Sequence, residues 1–331
     1  MTANAAALLI QHYVDKFRRL PWRSPPGAPP PDPYRVWLSE VMLQQTTVAT
    51  VTPRFERFVD RWPTIEALAA ATDEEILQEW AGLGYYARAR NLIGCARVVA
   101  RRGGFPRTAQ ELRELPGIGA YTSAAIAAIA FGERAPAVDT NVERVIARLD
   151  GMADPSRAEV ERRFVDLMPD RPGDFVQAMM DLGATVCRPR NPRCAQCPLM
   201  SECAAFASGD PQAFPLPSAK KVRPHRHGIA WWIERDGRVW LVRRPARGML
   251  GGMAALPGPE WTDEPPAGAS PLGIVRHIFS HFSLDLHIVP KAGPSGEGWW
   301  HPLAELDRAG LPTLYRKAAE LALGRNDRLA A

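Results

Sequence analysis

The sequence predicts a mainly α-helical domain followed by a smaller α+β domain. Residues 1 to about 206 run as helix after helix, in alanine-rich amphipathic stretches such as TIEALAAATDEEILQEWAG and TSAAIAAIAFG divided by short Pro/Gly breaks. From His225 the apolar residues instead recur at every second position, as in strands. The chain has 331 residues, more than one typical hydrophobic core accommodates, so two domains are expected.

Each element has its own signal. MTANAAALLIQHYVDKFRRL reads as an amphipathic helix, and PWRSPPGAPPPDPYRV as a rigid proline-rich loop before the next helix. The stretch 207–224, polar, proline-rich and basic at its end, reads as an interdomain linker between a domain at 1–206 and another at 225–331. HGIAWWIERDGRVWLVRRP places two alternating runs around Asp236-Gly237, a hairpin signal. FSHFSLDLHIVP is a further strand-like alternation, and a helix is expected near PTLYRKAAELAL. No repeat of fixed period is visible.

Hydrophobic residues make up 46% and charged residues 23%, ordinary for a soluble globular chain. No apolar run approaches the ~20 residues that span a bilayer, and the N-terminus lacks the layout of a secretion signal. A cytoplasmic location, nucleoid-associated in a bacterium, with no membrane partner is therefore expected. The net charge of +5 permits a polyanionic partner without requiring one.

Cys187, Cys194, Cys197 and Cys203 fall in the order Cys-x6-Cys-x2-Cys-x5-Cys, and Cys95 is the fifth cysteine. Four thiolates within seventeen residues suit zinc or an iron–sulfur cluster. Zinc ribbons usually present two Cys-x2-Cys pairs, and one occurs here. Disulfides are disfavoured in a reducing compartment. Cys95 is expected as a buried apolar side chain.

Between two helical stretches lies Leu115-Pro116-Gly117-Ile118-Gly119, whose glycines allow a tight turn that bares backbone N–H groups at the next helix start. Such amides bind phosphate without reading bases. By itself this is usually only a helix-connecting turn. Asp139, in Val138-Asp139-Thr140-Asn141, would by default cap a helix. Glu40, within the apolar run Val41-Met42-Leu43, is not explained by core packing. A buried carboxyl has a raised pKa, which suits a proton donor near neutral pH.

The combined order of hairpin, Val-Asp at a helix start and four cysteines resembles the helix-hairpin-helix glycosylases of the endonuclease III superfamily. The x6, x2, x5 cysteine series resembles their [4Fe–4S] loop. Within that group the chain resembles the MutY-type adenine-specific mismatch DNA glycosylases, through Ser39-Glu40-Val41-Met42-Leu43-Gln44-Gln45-Thr46, Trp80-Ala81-Gly82-Leu83-Gly84-Tyr85-Tyr86-Ala87-Arg88 and Pro21-Trp22-Arg23. The implied architecture is a two-part helical glycosylase domain with a [4Fe–4S] loop, plus a C-terminal α+β Nudix-like domain.

The implied activity is hydrolysis of the N-glycosidic bond of an adenine paired with 8-oxoguanine or guanine in duplex DNA. Glu40 would protonate the flipped adenine and Asp139 would stabilise the sugar cation, with Tyr121 and Asn141 positioning them. Trp22, Arg23, Leu43 and Gln177 match the family's adenine pocket. Gln45 and Thr46 are expected to face the opposite base, since a helix turning about 100° per residue points Gln45 roughly 140° away from Glu40. Leu83 and Tyr85 match the loop that wedges beside that base. Leu115, Gly117 and Gly119 would contact phosphate. Arg188, Arg190 and Arg193 are expected to face phosphates from the cysteine loop.

Family members that also cleave the strand carry a lysine just inside the hairpin's second helix. Here Tyr121 and Thr122 stand there, and no lysine occurs between Lys16 and Lys220, which argues against an endonuclease III-like lyase acting on oxidised pyrimidines. Lyases of that type also tend to carry histidine where this chain has Asn141. WLVRRPARGMLGGMAALPGPEW resembles the Nudix-like domain, yet no Arg-Glu-x-x-Glu-Glu run follows, so a reader domain without pyrophosphatase activity is expected. Phe279-Ser280-His281 matches the family's 8-oxoguanine loop. Ala254-Ala255 stand where the family commonly has bulkier residues. A monomer is expected, with sliding-clamp or mismatch-repair proteins as candidate partners.

Overall fold

A computed structural model describes residues 2–80, 82–216, 223–245, 248–268, 270–279 and 281–324. The chain divides into two compact units, at 1–218 and 219–331.

Helices build the first unit: α1 (Thr2–Asp15), α2 (Pro33–Leu43), α3 (Val48–Arg61), α4 (Ile65–Ala70), α5 (Asp73–Glu79), α6 (Tyr86–Arg102), α7 (Ala109–Leu112), α8 (Ala120–Phe131), α9 (Thr140–Asp150), α10 (Arg157–Leu167), α11 (Pro172–Asp181) and α12 (Ala204–Ala207). Their starts follow the local chemistry. Asp32 caps α2 with proline at its first position, while Thr72 and Ser156 close capping boxes on α5 and α10. The alanine-rich α8 is apolar on every side because it is enclosed, with α2 and α11 packed against it. α1 lies on α10 and α11, and α2 on α3 and α6. Cys95 on α6 is fully buried, as expected.

Residues 207–216, expected as linker, belong instead to the helical unit. Arg148 Nε donates to the Phe214 carbonyl at 2.9 Å, and the Leu216 amide donates to the Ala153 carbonyl at 2.6 Å. The polar, proline-rich composition here reflects a chain held through backbone carbonyls and amides, which apolar patterning does not register.

The second unit contains β1 (His225–Trp232), β2 (Glu234–Arg235), β3 (Arg238–Arg243), β4 (Ala254–Ala255), β5 (Gly273–Ile278), β6 (Ser283–Pro290), β7 (Trp299–Pro302) and α13 (Thr313–Ala322). Asp236 (φ 49°) and Gly237 (φ 67°) form the expected two-residue turn between β2 and β3. The long hairpin does not form, however. β1 leaves its sequence neighbour and pairs in parallel with β6, giving one sheet in the order β1-β6-β5. β3 pairs with β2, β4 and β7 in the other. Leu284, Leu286, Ile288 and Val239 fill this unit's core with α13 residues Leu314, Ala318 and Ala319. Between β4 and β5 the described residues form no helix, so no glutamate-rich helix follows the segment that resembles the Nudix-like domain. Among the described residues, no helix is long and apolar enough to cross a membrane.

Candidate active-site cleft and thiolate centre

A cleft of about 760 Å³ opens in the helical unit and gathers most of the expected residues: Trp22, Arg23, Glu40, Leu43, Gln45, Thr46, Tyr121, Asp139, Asn141 and Gln177. α2 supplies Glu40, the first turn of α8 supplies Tyr121, the start of α9 supplies Asp139 and Asn141, and α11 supplies Gln177.

Glu40 is 8% exposed, and burial pushes its carboxyl up to about 7. The Tyr121 hydroxyl and Arg23 pull the other way, and Asp139 adds to the rise. Arg23 does not form an ion pair with Glu40. Its guanidinium is spent on Asp181 in a bidentate pair at 2.6 and 3.0 Å, to which Arg18 adds a third contact at 2.9 Å. The cleft thus contains a cation whose pull on the acid beside it is outweighed by burial. Burial also raises the Tyr121 phenol well above its ordinary range, with Glu40 and Asp139 adding to the effect, so it remains a hydroxyl able to donate.

Asp139 has the opposite surroundings. It caps α9, accepting from the amides of Asn141 at 2.9 Å and Val142 at 2.8 Å, while Asn141 Nδ2 donates to its other oxygen at 2.8 Å. All three contacts are ones that a carboxylate accepts. The capping reading and the functional reading therefore describe one geometry, because the cap aims the carboxylate into the cleft.

Behind Asn141 stands Arg144, which the sequence does not single out. Its Nη2 donates to Asn141 Oδ1 at 3.1 Å and to the Gly183 carbonyl at 2.8 Å, and its Nε donates to the Cys187 carbonyl at 2.9 Å. Gly183 is required here, since a Cβ would lie 2.9 Å from Asn141 Cβ. A chain of contacts thereby runs from the Asp139 carboxylate to a cysteine of the 187–203 loop.

The four cysteines of that loop line one small apolar cavity with Val186, Met200 and Phe206, and none forms a disulfide. Burial pushes the Cys197 thiol up to about 12 and raises those of Cys194 and Cys203 as well. Burial favours the neutral thiols, so holding these groups as thiolates would take a metal centre, and the donor set is all sulfur. Arg148 Nη1 lies 3.5 Å from Cys187 Sγ. Of the loop arginines, Arg190 and Arg193 are exposed, whereas Arg188 folds back onto the Asn191 carbonyl.

Gln45 departs from the expectation. α2 ends at Leu43, and Gln45 (φ 56°) lies in left-handed backbone past the helix end, so helical geometry does not set its direction. Arg88 explains the stop. Its Nη1 donates to the carbonyls of Val41 and Met42, both at 2.9 Å, and its Nη2 reaches the Leu83 carbonyl at 3.0 Å and Thr46 Oγ1 at 3.2 Å. One cation at the C-terminal end of α2 thus fixes both the 44–46 turn and the 83–85 loop. In that loop Tyr85 is 55% exposed at φ 47°, while Leu83 is buried; neither lines the cleft.

The hairpin lies beside the cleft. Gly117 (φ 76°) passes Asn91 so closely that a Cβ would sit 2.5 Å from its Cβ, and Gly119 starts α8 without a side-chain cap. Leu115 is buried, which leaves only its backbone for any ligand. Gln177 Nε2 donates within its own helix to the Gly173 carbonyl at 3.1 Å. In the second unit, Phe279 and His281 fall in the β5–β6 turn, closed by the Phe279 amide on the Phe282 carbonyl at 2.9 Å. Phe279 stacks on Trp261 at 5.6 Å. Ser280 lies outside the described residues. Sequence reasoning missed Asp181, Arg144 and the role of Arg88; for Arg88 alone a signal existed, a basic residue closing a glycine- and aromatic-rich loop.

Residues 38–170 match the HhH-GPD superfamily of base excision DNA repair proteins, and residues 228–321 match the NUDIX domain. The chain is 36% identical to the adenine DNA glycosylase of Homo sapiens over 85% of its own length and 65% of that protein's. It is 34% identical to the adenine DNA glycosylase of Mus musculus, over 93% and 76%. Among solved structures it is similar to a thermostable thymine-DNA glycosylase (TM-score 0.55, 30% identity, covering 61% of this chain and 95% of that one). It is also similar to endonuclease III in a trapped covalent intermediate with DNA (TM-score 0.52, 28% identity, covering 62% and 95%). The chain belongs to the adenine DNA glycosylase family, within the HhH-GPD superfamily of base excision DNA repair proteins.

Proposed function

We propose that this chain removes adenine from duplex DNA where it stands opposite 8-oxoguanine or guanine, and that it does so by hydrolysis, as a monomer. The carrying observation is the pairing of a buried carboxyl held up to about 7 with a second carboxyl fixed on amide donors in the same cleft. The adenine must leave the base stack to enter. Glu40 donates its proton to N7 of the flipped base, so that the C1′–N9 bond breaks with adenine leaving as a neutral molecule. The positive charge that develops at C1′ and the ring oxygen faces the Asp139 carboxylate. In the two-carboxylate logic of retaining glycosidases, Asp139 bonds C1′ until water displaces it. Asn141 and Tyr121 hold the two acids, and no lysine lines the cleft among the described residues.

Cys187, Cys194, Cys197 and Cys203 would hold a [4Fe–4S] cluster, and their clustered, unpaired sulfurs support that reading. Bound there, the cluster would order the 187–203 loop and, through Arg144, the floor beneath Asn141. Phe279, Ser280 and His281 would read the 8-oxo group and N7–H of the opposite base. Incubating a duplex with adenine opposite 8-oxoguanine tests the proposal: alkali-labile sites at the adenine are expected, with no adduct after borohydride. Absence of such sites overturns it, and a borohydride-trapped adduct would point to lyase chemistry.

A further inference from the structure

We propose a second metal site in the C-terminal unit, in which His225, His227 and Asp285 bind one divalent transition-metal ion of the Zn²⁺ class on the outer face of the β1-β6-β5 sheet. The register carries the idea. Parallel pairing sets His225 against Ser283 and His227 against Asp285, and antiparallel pairing sets Arg276 against Asp285. These residues therefore share one face, while Leu284, Leu286 and Ile288 point to the core on the other.

One ligand atom from each of the three residues lies within 4.8 Å of the others. His225 Nε2 is already 3.5 Å from Asp285 Oδ2, close to the ~3.3 Å that separates two ligand atoms on one tetrahedral zinc. Closing the set takes side-chain rotation of about 1–1.5 Å, estimated from the same ligand distances. His225 Nδ1 is occupied by Ser283 Oγ at 2.8 Å, the kind of outer contact that turns the other ring nitrogen toward a metal.

Two observations favour a metal ion at this place. The Asp285 side chain is 13% exposed, yet the guanidinium beside it, Arg276, is 86% exposed with its Nε at 3.4 Å, beyond the ~2.7–2.9 Å of a charge-assisted hydrogen bond. His227 Nδ1 is buried with no hydrogen-bond partner among the described residues. Two imidazoles and a carboxylate form a donor set that suits zinc, with the fourth position left to water.

The experiment uses the full chain with its cysteine-bound centre loaded, titrated with Zn²⁺ against a chromophoric chelator. One ion per chain is expected, with H225Q and D285N each weakening binding about 10- to 100-fold. Zinc should also raise the melting temperature of the parent protein but not of H225Q, whose exposed position leaves folding and adenine excision intact. Equal isotherms for the parent and H225Q/D285N overturn the site, as does zinc uptake seen only with bleaching of the iron–sulfur absorbance.

Discussion

Glu40 and Asp139 are both carboxylic acids in one cleft, yet their surroundings differ almost completely. Glu40 sits in an apolar helix wall, and the nearest guanidinium, Arg23, is committed to Asp181. Asp139 sits at a helix start with three N–H donors turned toward it. Location alone thus divides an acid that keeps its proton to about neutrality from a carboxylate shaped to accept.

Breaking the acid side should have the largest effect. Glu40→Gln keeps the shape and removes the proton, so single-turnover excision should fall about 10³- to 10⁴-fold with duplex binding retained. The pH profile sharpens the same point. The raised carboxyl is active when protonated, so excision should decline as pH rises through about 7. Stability follows the same sign: between the unfolded value near 4.5 and about 7 the native state holds the extra proton, and stability falls as pH rises across that window. Thermal melts of the Glu40→Gln variant should lack that slope.

Asp139→Asn should cost excision about 10²- to 10³-fold, with binding again retained, since the group that bonds C1′ and carries the negative charge is lost while the cap is partly kept. Arg144→Met acts from behind. It strands the Asn141, Gly183 and Cys187 oxygens and should destabilise the fold by about 2–4 kcal/mol, read by melting, with loss of bound iron. Arg88→Met, which frees the carbonyls of Val41, Met42 and Leu83, should cost about 1–3 kcal/mol and weaken mispair binding. The smallest change is expected for Ser280→Ala: a loss of about 1 kcal/mol, or roughly fivefold, in preference for 8-oxoguanine over guanine, measured with paired duplexes.

Much of the helical unit was legible because its signals are local. Cysteine spacing, the Gly-Ile-Gly turn, a carboxylate inside an apolar run and an aspartate at a helix start are each contained in one short stretch of chain. Where local reasoning was extended too far, it failed. α2 stops two residues short of Gln45, because Arg88 terminates it from more than forty positions away. The strand alternation after His225 was sound, yet the partner of β1 lies at 283–290 rather than across the Asp236-Gly237 turn.

Residue types and their spacing determined the two-domain order and the sulfur donor set and singled out Glu40 as a carboxyl in an apolar run, whereas for Asp139 they indicated a helix cap and its expected role came with the family resemblance. Only the tertiary structure decided which cation stays off Glu40, what supports Asn141 and which strands share a face with Asp285. Those outcomes depend on groups such as Arg23 and Asp181, or Arg144 and Cys187, that are distant in the chain and meet only when packing brings their segments together.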